Sequence, residues 1–304
     1  ATITHVIERT NTVTGIPYAE DPTILAWETG NELDAPTAWT EEIAAHIKSL
    51  DPNHLVIDGH YGIDPDILDN EQIDIVSNHY YWPTGYDDDY ASALTADIDF
   101  LNGQRPFILG EFGLVYTWRV EELLEVVVDE QIAGAMIWSL RTHDVEGGFY
   151  WHTETDEEDF TFRSYHWPGF DSGDEYDETE VLTMMRDAAF AIQGLSTPTV
   201  TAPAPPQILS VEPDMHITWQ GSTGAASYRL ERRESQRATW EVVASDFHDA
   251  ETENTATVAD ETASGLVPYH YRMIAENDGG ESNPSATYGP IEYDQQFFHD
   301  PLDD

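Results

Sequence analysis

Cysteine is absent from this chain, which excludes disulfides, thiol nucleophiles and thiolate metal sites. Basic residues are scarce: 12 Lys+Arg stand against 59 Asp+Glu, for a formal net charge of -47. Lys48 is the single lysine. A surface this acidic repels nucleic-acid phosphates and anionic lipid, so neither nucleic acid nor a membrane is an expected partner. No apolar run reaches the ~18 residues of a membrane span. Phosphate loops, Gly-x-Ser-x-Gly elbows and dinucleotide glycine fingerprints are also missing, and no cofactor is expected.

What is present is enough for a large core: 304 residues, 40% hydrophobic and 12% aromatic. The acid is scattered through every segment, which argues against an acidic interaction tail and for adaptation to high salt. At about 1 M salt the Debye length falls to about 3 Å and self-repulsion is screened.

Residues 1–196 alternate apolar runs with helical patterns, as βα units around a parallel sheet do. Strands are expected at 23–29, 54–58, 73–79, 106–110 and 134–140, each nearly continuous in Ile, Val and Leu. A helix capped by Thr40 should run to Leu50 and stop at Asp51-Pro52. Further helices are expected over about 89–101, 119–130 and 179–193. Five strands fall short of an eight-stranded βα barrel, which needs roughly 250 residues. The stretch therefore reads as a barrel cut before its fourth strand, or as an open sheet. A proline-rich linker spans 197–206. The period then becomes two, with short runs at 207–211, 215–219, 226–232, 239–244, 254–259, 268–275 and 286–293, the pattern of a β-sandwich over 207–293. An acidic tail, 294–304, closes the chain.

Two carboxylates stand just past buried strands, where chemistry on a glycosidic bond needs them. Glu32 ends Thr-Ile-Leu-Ala-Trp-Glu-Thr-Gly-Asn-Glu, with Asn31 offering an amide to a sugar hydroxyl. Glu111 lies between glycine and phenylalanine in Pro-Phe-Ile-Leu-Gly-Glu-Phe-Gly. The competing readings are a helix cap for the first and a loop acid for the second. Alternation places His79 and Tyr81 on one strand face, where the tyrosine hydroxyl can hold a carboxylate ionised; a structural histidine is the alternative. Trp138 ends the fifth strand and offers an indole face to a sugar ring or to the core. Trp82, Trp118, Trp151 and Trp167 read mainly as packing. His143, His152 and His166, with Asp144 and Glu154, lack the helical spacing of a metal site, and no metal is expected.

These segments resemble glycoside hydrolase family 5 and its clan. Ile-Leu-Ala-Trp-Glu-Thr-Gly-Asn-Glu is similar to the fourth-strand motif, which implies that Glu32 is the acid/base. Ile-Leu-Gly-Glu-Phe-Gly is similar to the seventh-strand motif, which implies that Glu111 is the nucleophile. His79 and Tyr81 match the sixth-strand pair lining subsite −1, and Trp138 the eighth-strand sugar platform. Gly-Ala-Met-Ile-Trp-Ser-Leu-Arg, Gly-Gly-Phe-Tyr-Trp-His and Tyr-His-Trp-Pro-Gly-Phe resemble the β-mannanases of the family. The resemblance implies a (β/α)8 TIM barrel lacking its first three βα units here, with the second-strand arginine among what has no counterpart. Residues 206–293 resemble a fibronectin type III module, with Trp219 in its second strand.

The expected activity is therefore retaining hydrolysis of internal β-1,4-mannosidic bonds in mannan-type polysaccharide, by a monomer, outside the cell, with a leader encoded upstream. A β-glucanase or exo-mannosidase on the same scaffold, a non-catalytic carbohydrate-binding protein and an inactive fragment are the alternatives.

Overall fold

The computed structural model describes residues 1–81, 89–155, 159–170, 172–173, 175–250, 252–264 and 267–292. The expected acidic tail and Trp82 lie outside the described residues. The chain forms two compact units, one of Ala1–Trp138 with Ala191–Leu195 and one of Ser139–Phe190 with Ser196–Asp304.

The first unit is built on a five-stranded sheet: β1 (Ala26–Glu28), β2 (Leu55–Asp58), β3 (Ile75–Tyr80), β4 (Phe107–Phe112) and β5 (Gly134–Ile137). All pairings are parallel, and spatial order follows chain order. Each crossover thus advances one strand in the same direction. That is the wall of a βα barrel; a doubly wound sheet would reverse direction at a switch point. Helices α1 (Thr2–Ile7), α2 (Thr37–Leu50), α3 (Tyr90–Leu101) and α4 (Thr117–Asp129) complete the unit. All six positions of β3 are buried, which is why its sequence shows no polar alternation. Leu94 and Leu101 of α3 and Val120, Leu123 and Val127 of α4 face the core with Val76, Leu109 and Phe112.

Helix α2 starts earlier than expected. Pro36 is its N-cap, and a proline drives the preceding residue out of the α region, so the helix opens at Thr37 and Thr40 is buried inside it. Its end is as expected. Asp51, preceding Pro52, takes an extended backbone. The buried Asp51 carboxylate accepts from Trp27 Nε1 at 2.7 Å and sits 2.5 Å from His54 Nδ1. Burial pushes this carboxyl up, but those bonds and two backbone N–H groups outweigh it and hold it below the usual range.

The second unit contains the hairpin β6 (Thr153–Thr155) and β7 (Thr161–Arg163), helix α5 (Glu178–Ala191) and a β-sandwich. The sandwich strands are β8 (Gln207–Val211), β9 (His216–Gln220), β10 (Ser227–Arg233), β11 (Glu241–Phe247), β12 (Thr257–Ala259), β13 (Pro268–Asn277), β14 (Gly280–Glu281) and β15 (Tyr288–Glu292). One sheet runs β12-β9-β8; the other runs β11-β10-β13-β14, with β15 also on β13. Trp219, Tyr228, Leu230, Tyr271 and Met273 fill the core they share. Two short strands, β12 and β14, depart from the expected pattern: β12 is shorter than the run at 254–259, and β14 has no expected counterpart.

Contacts group residues 139–190 with the sandwich, across the linker-based boundary at 196. The strand expected to reach 140 leaves the parallel sheet at Ile137, and Arg141 N donates instead to Tyr165 O. Gly148 N donates to Asn254 O and Phe149 N to Thr252 O. A Cβ at Gly147 would fall 1.7 Å from Trp219 O, so only glycine permits this approach. Arg141 is the hub. Its guanidinium donates to Glu178 Oε1 at 2.7 Å, Ser164 O at 2.6 Å and Ala250 O at 2.7 Å, under the rings of Trp151 and Phe149. Both partners of this ion pair are fully buried. Burial pushes the Glu178 carboxyl up to about 6, and it lowers the Arg141 guanidinium from its usual value. Among the described residues, no helix is long and apolar enough to cross a membrane.

Candidate active site

Glu32, Tyr81, Glu111 and Trp138 lie at or just past the carboxyl ends of β1, β3, β4 and β5. In open and closed βα sheets this is the end where ligands bind.

Glu32 is delivered by a break in pairing. Glu28 pairs with Ile57, and pairing resumes at Leu33 with His60. Five steps along one strand thus match three along the other, and the surplus loops out Asn31 and Glu32. Gly30 and Gly59 touch at the base of the loop, where a Cβ on Gly59 would meet Gly30 O at 2.1 Å. Glu32 itself has φ 49, a left-handed conformation costing a non-glycine residue about 1 kcal/mol.

Glu111 is delivered by a bulge. On one side Asn78 pairs with Leu109 and His79 with Glu111; on the other, Leu109 pairs with Ala135 and Phe112 with Ile137. Both neighbours see one surplus residue in β4, at Gly110-Glu111. Bulges beside a site re-aim side chains. The glycine is required here by space: a Cβ at Gly110 would lie 2.9 Å from the His79 ring.

The alternation of β3 sorts its side chains. Ser77, His79 and Tyr81 share the face toward the carboxylates, while Asn78 and Tyr80 turn away to bond Asp97 on α3 at 2.8 Å and 2.5 Å. His79, 9% exposed, places Nδ1 2.9 Å from Glu32 Oε1 and 3.5 Å from Glu111 Oε2. Tyr81 donates its hydroxyl to Glu111 Oε2 at 2.9 Å. The ligand atoms of Glu32, His79 and Glu111 all lie within 4.8 Å of one another, the spacing of a group able to hold a cation. His143, His152 and His166 join no such group among the described residues.

Beneath the trio lie two residues that sequence reasoning missed. Ser77 donates to Glu28 Oε1 at 3.4 Å and to Asp58 O at 3.1 Å. Burial raises the Glu28 carboxyl above its usual value. The signal for Ser77 was available, since it stands two residues before His79 on the same face.

The remaining expected residues fall as follows. Asn31 is exposed beside Glu32. Trp138 follows β5, 41% exposed, and its backbone N–H donates to the carbonyl of Phe112 at 2.7 Å. Trp118 stacks on Tyr116 with the Arg119 guanidinium 4.0 Å from its ring centroid. Trp151 lies under Arg141 and Arg163, and Trp167 lies near Arg186, so these rings pack.

Residues 1–115 match the family described as GH family 5 beta-mannosidase-like. The chain is 32% identical over 192 residues to mannan endo-1,4-beta-mannosidase 7 of Arabidopsis thaliana, covering 48% of this chain and 43% of that protein. It is 34% identical over 149 residues to mannan endo-1,4-beta-mannosidase 1 of Oryza sativa subsp. japonica, covering 36% and 34%. A solved glycoside hydrolase family 5 mannosidase from Rhizomucor miehei is similar at 21% identity and a TM-score of 0.46, covering 64% of this chain and 58% of that one. The chain thus spans less than half the length of these plant relatives, and the stretch that matches the family holds Glu32, His79, Tyr81 and Glu111.

Proposed function

We propose that this chain carries the catalytic pair of a retaining endo-β-1,4-mannanase. The observation that carries the reading is the approach of Glu32 and Glu111, whose nearest ligand atoms lie within 4.8 Å. Double displacement works with carboxyl groups about 5–5.5 Å apart, and so close an approach of their oxygens supports it. The names of the plant relatives supply the substrate class, a neutral mannan-type polysaccharide.

In this reading Glu32, protonated, gives its proton to the departing glycosidic oxygen while the Glu111 carboxylate attacks the anomeric carbon. A glycosyl ester on Glu111 results. Glu32, now ionised, takes a proton from water, the water oxygen attacks the same carbon, and the ester bond breaks to return both carboxyls to their starting forms. Tyr81 steadies the attacking Oε2. His79 bridges the pair and fixes their separation. Asn31 offers its amide to a sugar hydroxyl, and Trp138 presents an exposed ring to a sugar face.

Three further assignments belong to the same reading. The net charge of -47 supports function in concentrated salt. A polymeric substrate supports action outside the cell. The sandwich, which resembles a fibronectin type III module, is read as non-catalytic.

The test is release of reducing ends from β-1,4-mannan, with cellulose as comparison, in molar NaCl. The reading expects cleavage of mannan that Glu111→Gln lowers by orders of magnitude. Near-normal rates in that variant, or binding of manno-oligosaccharide with no cleavage, would reject it.

A further inference from the structure

The same three residues meet the requirements of a transition-metal site, and we propose that Glu32, His79 and Glu111 bind one Zn2+ or Cu2+ ion, which shuts the site. Binding rests on geometry alone; only the inhibitory consequence rests on the hydrolase reading.

A cation held about 2.0–2.2 Å from nitrogen and oxygen donors separates those donors by about 3–3.5 Å. His79 Nδ1 already stands 2.9 Å from Glu32 Oε1 and 3.5 Å from Glu111 Oε2. The third separation is at most 4.8 Å, and the Glu32 side chain, 38% exposed, has room to close it. The donors arrive from three separate strand ends, so none needs the chain to fold around the ion. The His79 ring is seated against Gly110, where a Cβ would collide with it. For Nδ1 to ligate, the imidazole carries its proton on Nε2.

One imidazole and two carboxylates suit Zn2+ and Cu2+; Mg2+ and Ca2+ prefer all-oxygen shells of six or more ligands. Two like-charged carboxylates so close, in a chain with a formal net charge of -47, gain from a divalent charge between them. The bound ion occupies both carboxylates that hydrolysis uses, so it competes with the sugar and a chelator reverses it.

The experiment is calorimetric titration of the full chain with ZnCl2 in molar NaCl, where the ~3 Å Debye length suppresses loose binding to the acidic surface. The proposal expects one saturable site per chain, weakened at least about tenfold in His79→Asn and in Glu111→Gln; loss of an outer-shell partner alone costs ~10–100-fold. A second measurement needs no variant: Co2+ added to the wild-type chain gives a visible ligand-field spectrum that Zn2+ abolishes. Absence of a saturable site, or a site that persists unchanged in both variants, overturns the proposal. The titration contains no substrate, so a chain that binds Zn2+ there but, assayed free of metal, cleaves no mannan sinks the hydrolase reading and supports this one.

Discussion

Tyr81 donates its hydroxyl to Glu111 Oε2 at 2.9 Å, so the residue that follows β3 is tied to the one that the β4 bulge presents. A hydrogen bond to an ionised acceptor contributes about 1.5–3 kcal/mol. Tyr81→Phe should therefore lower kcat on manno-oligosaccharide by about 10–100-fold, with KM and melting temperature little changed. A purely structural tyrosine would instead lower the melting temperature and leave kcat per folded molecule intact.

Arg141 and Glu178 form a fully buried ion pair within the second unit. Removing one partner of such a pair strands the other charge, at about 3–5 kcal/mol, while replacing both by apolar groups is often neutral. Arg141→Met should lower thermal stability sharply, and Arg141→Met with Glu178→Leu should recover most of the loss. The measurement is the pair of melting curves at one salt concentration; equal melting temperatures for the single and double variants would show that the pair is not coupled. Since Arg141 also donates to Ala250 O, limited proteolysis of Arg141→Met should release the segment 139–190 and the sandwich strands together.

The parallel sheet was the most legible part of the fold. Its strands are largely apolar runs, β3 and most of β4 buried along their length, and the structure's β2, β3 and β4 lie within two residues of the expected bounds. Glu32, His79, Tyr81 and Glu111 were legible because each sits at such a strand's carboxyl end. The bulge at Gly110 was not, since one surplus residue is visible only against neighbouring strands. The hairpin of β6 and β7 was missed because its short strands are largely polar and exposed, leaving no periodicity to read. The proline-rich linker drew attention to 197–206, whereas the grouping of 139–190 with the sandwich depends on Gly147, Gly148 and Arg141, whose partners Trp219, Asn254 and Ala250 lie far along the chain.

His166 supplies a pH dependence. Burial, with help from His143, pushes its imidazole down to about 4 from 6.5. A depressed value means that the unfolded chain takes up the proton first, so stability is present in full above about 6.5 and is lost as pH falls toward 4. The shift corresponds to about 3 kcal/mol. Glu178, raised from 4.5 to about 6, opposes this by roughly 2 kcal/mol, because the folded state holds that proton more tightly between those values. The net expectation is a modest loss of stability between pH 6.5 and 4. Urea titrations should show His166→Asn losing less over that window than the wild type; identical slopes would contradict the assignment.

Salt should act in the opposite direction from its effect on a protein held by surface ion pairs. With 59 acidic against 12 basic residues, self-repulsion dominates, and screening relieves it. The melting temperature should climb steadily from about 0.1 M to about 3 M NaCl. A flat or falling curve would remove salt adaptation from the account.

The approach of Glu32 to Glu111 makes one claim that outranks the rest, namely that the bond is cleaved with retention. Proton NMR of manno-oligosaccharide hydrolysis, recorded before mutarotation, reads this directly. The account predicts that the β-anomer of the new reducing end appears first and the α-anomer grows in later. If the α-anomer appears first, a water has attacked where Glu111 was said to attack, and the double-displacement account is wrong.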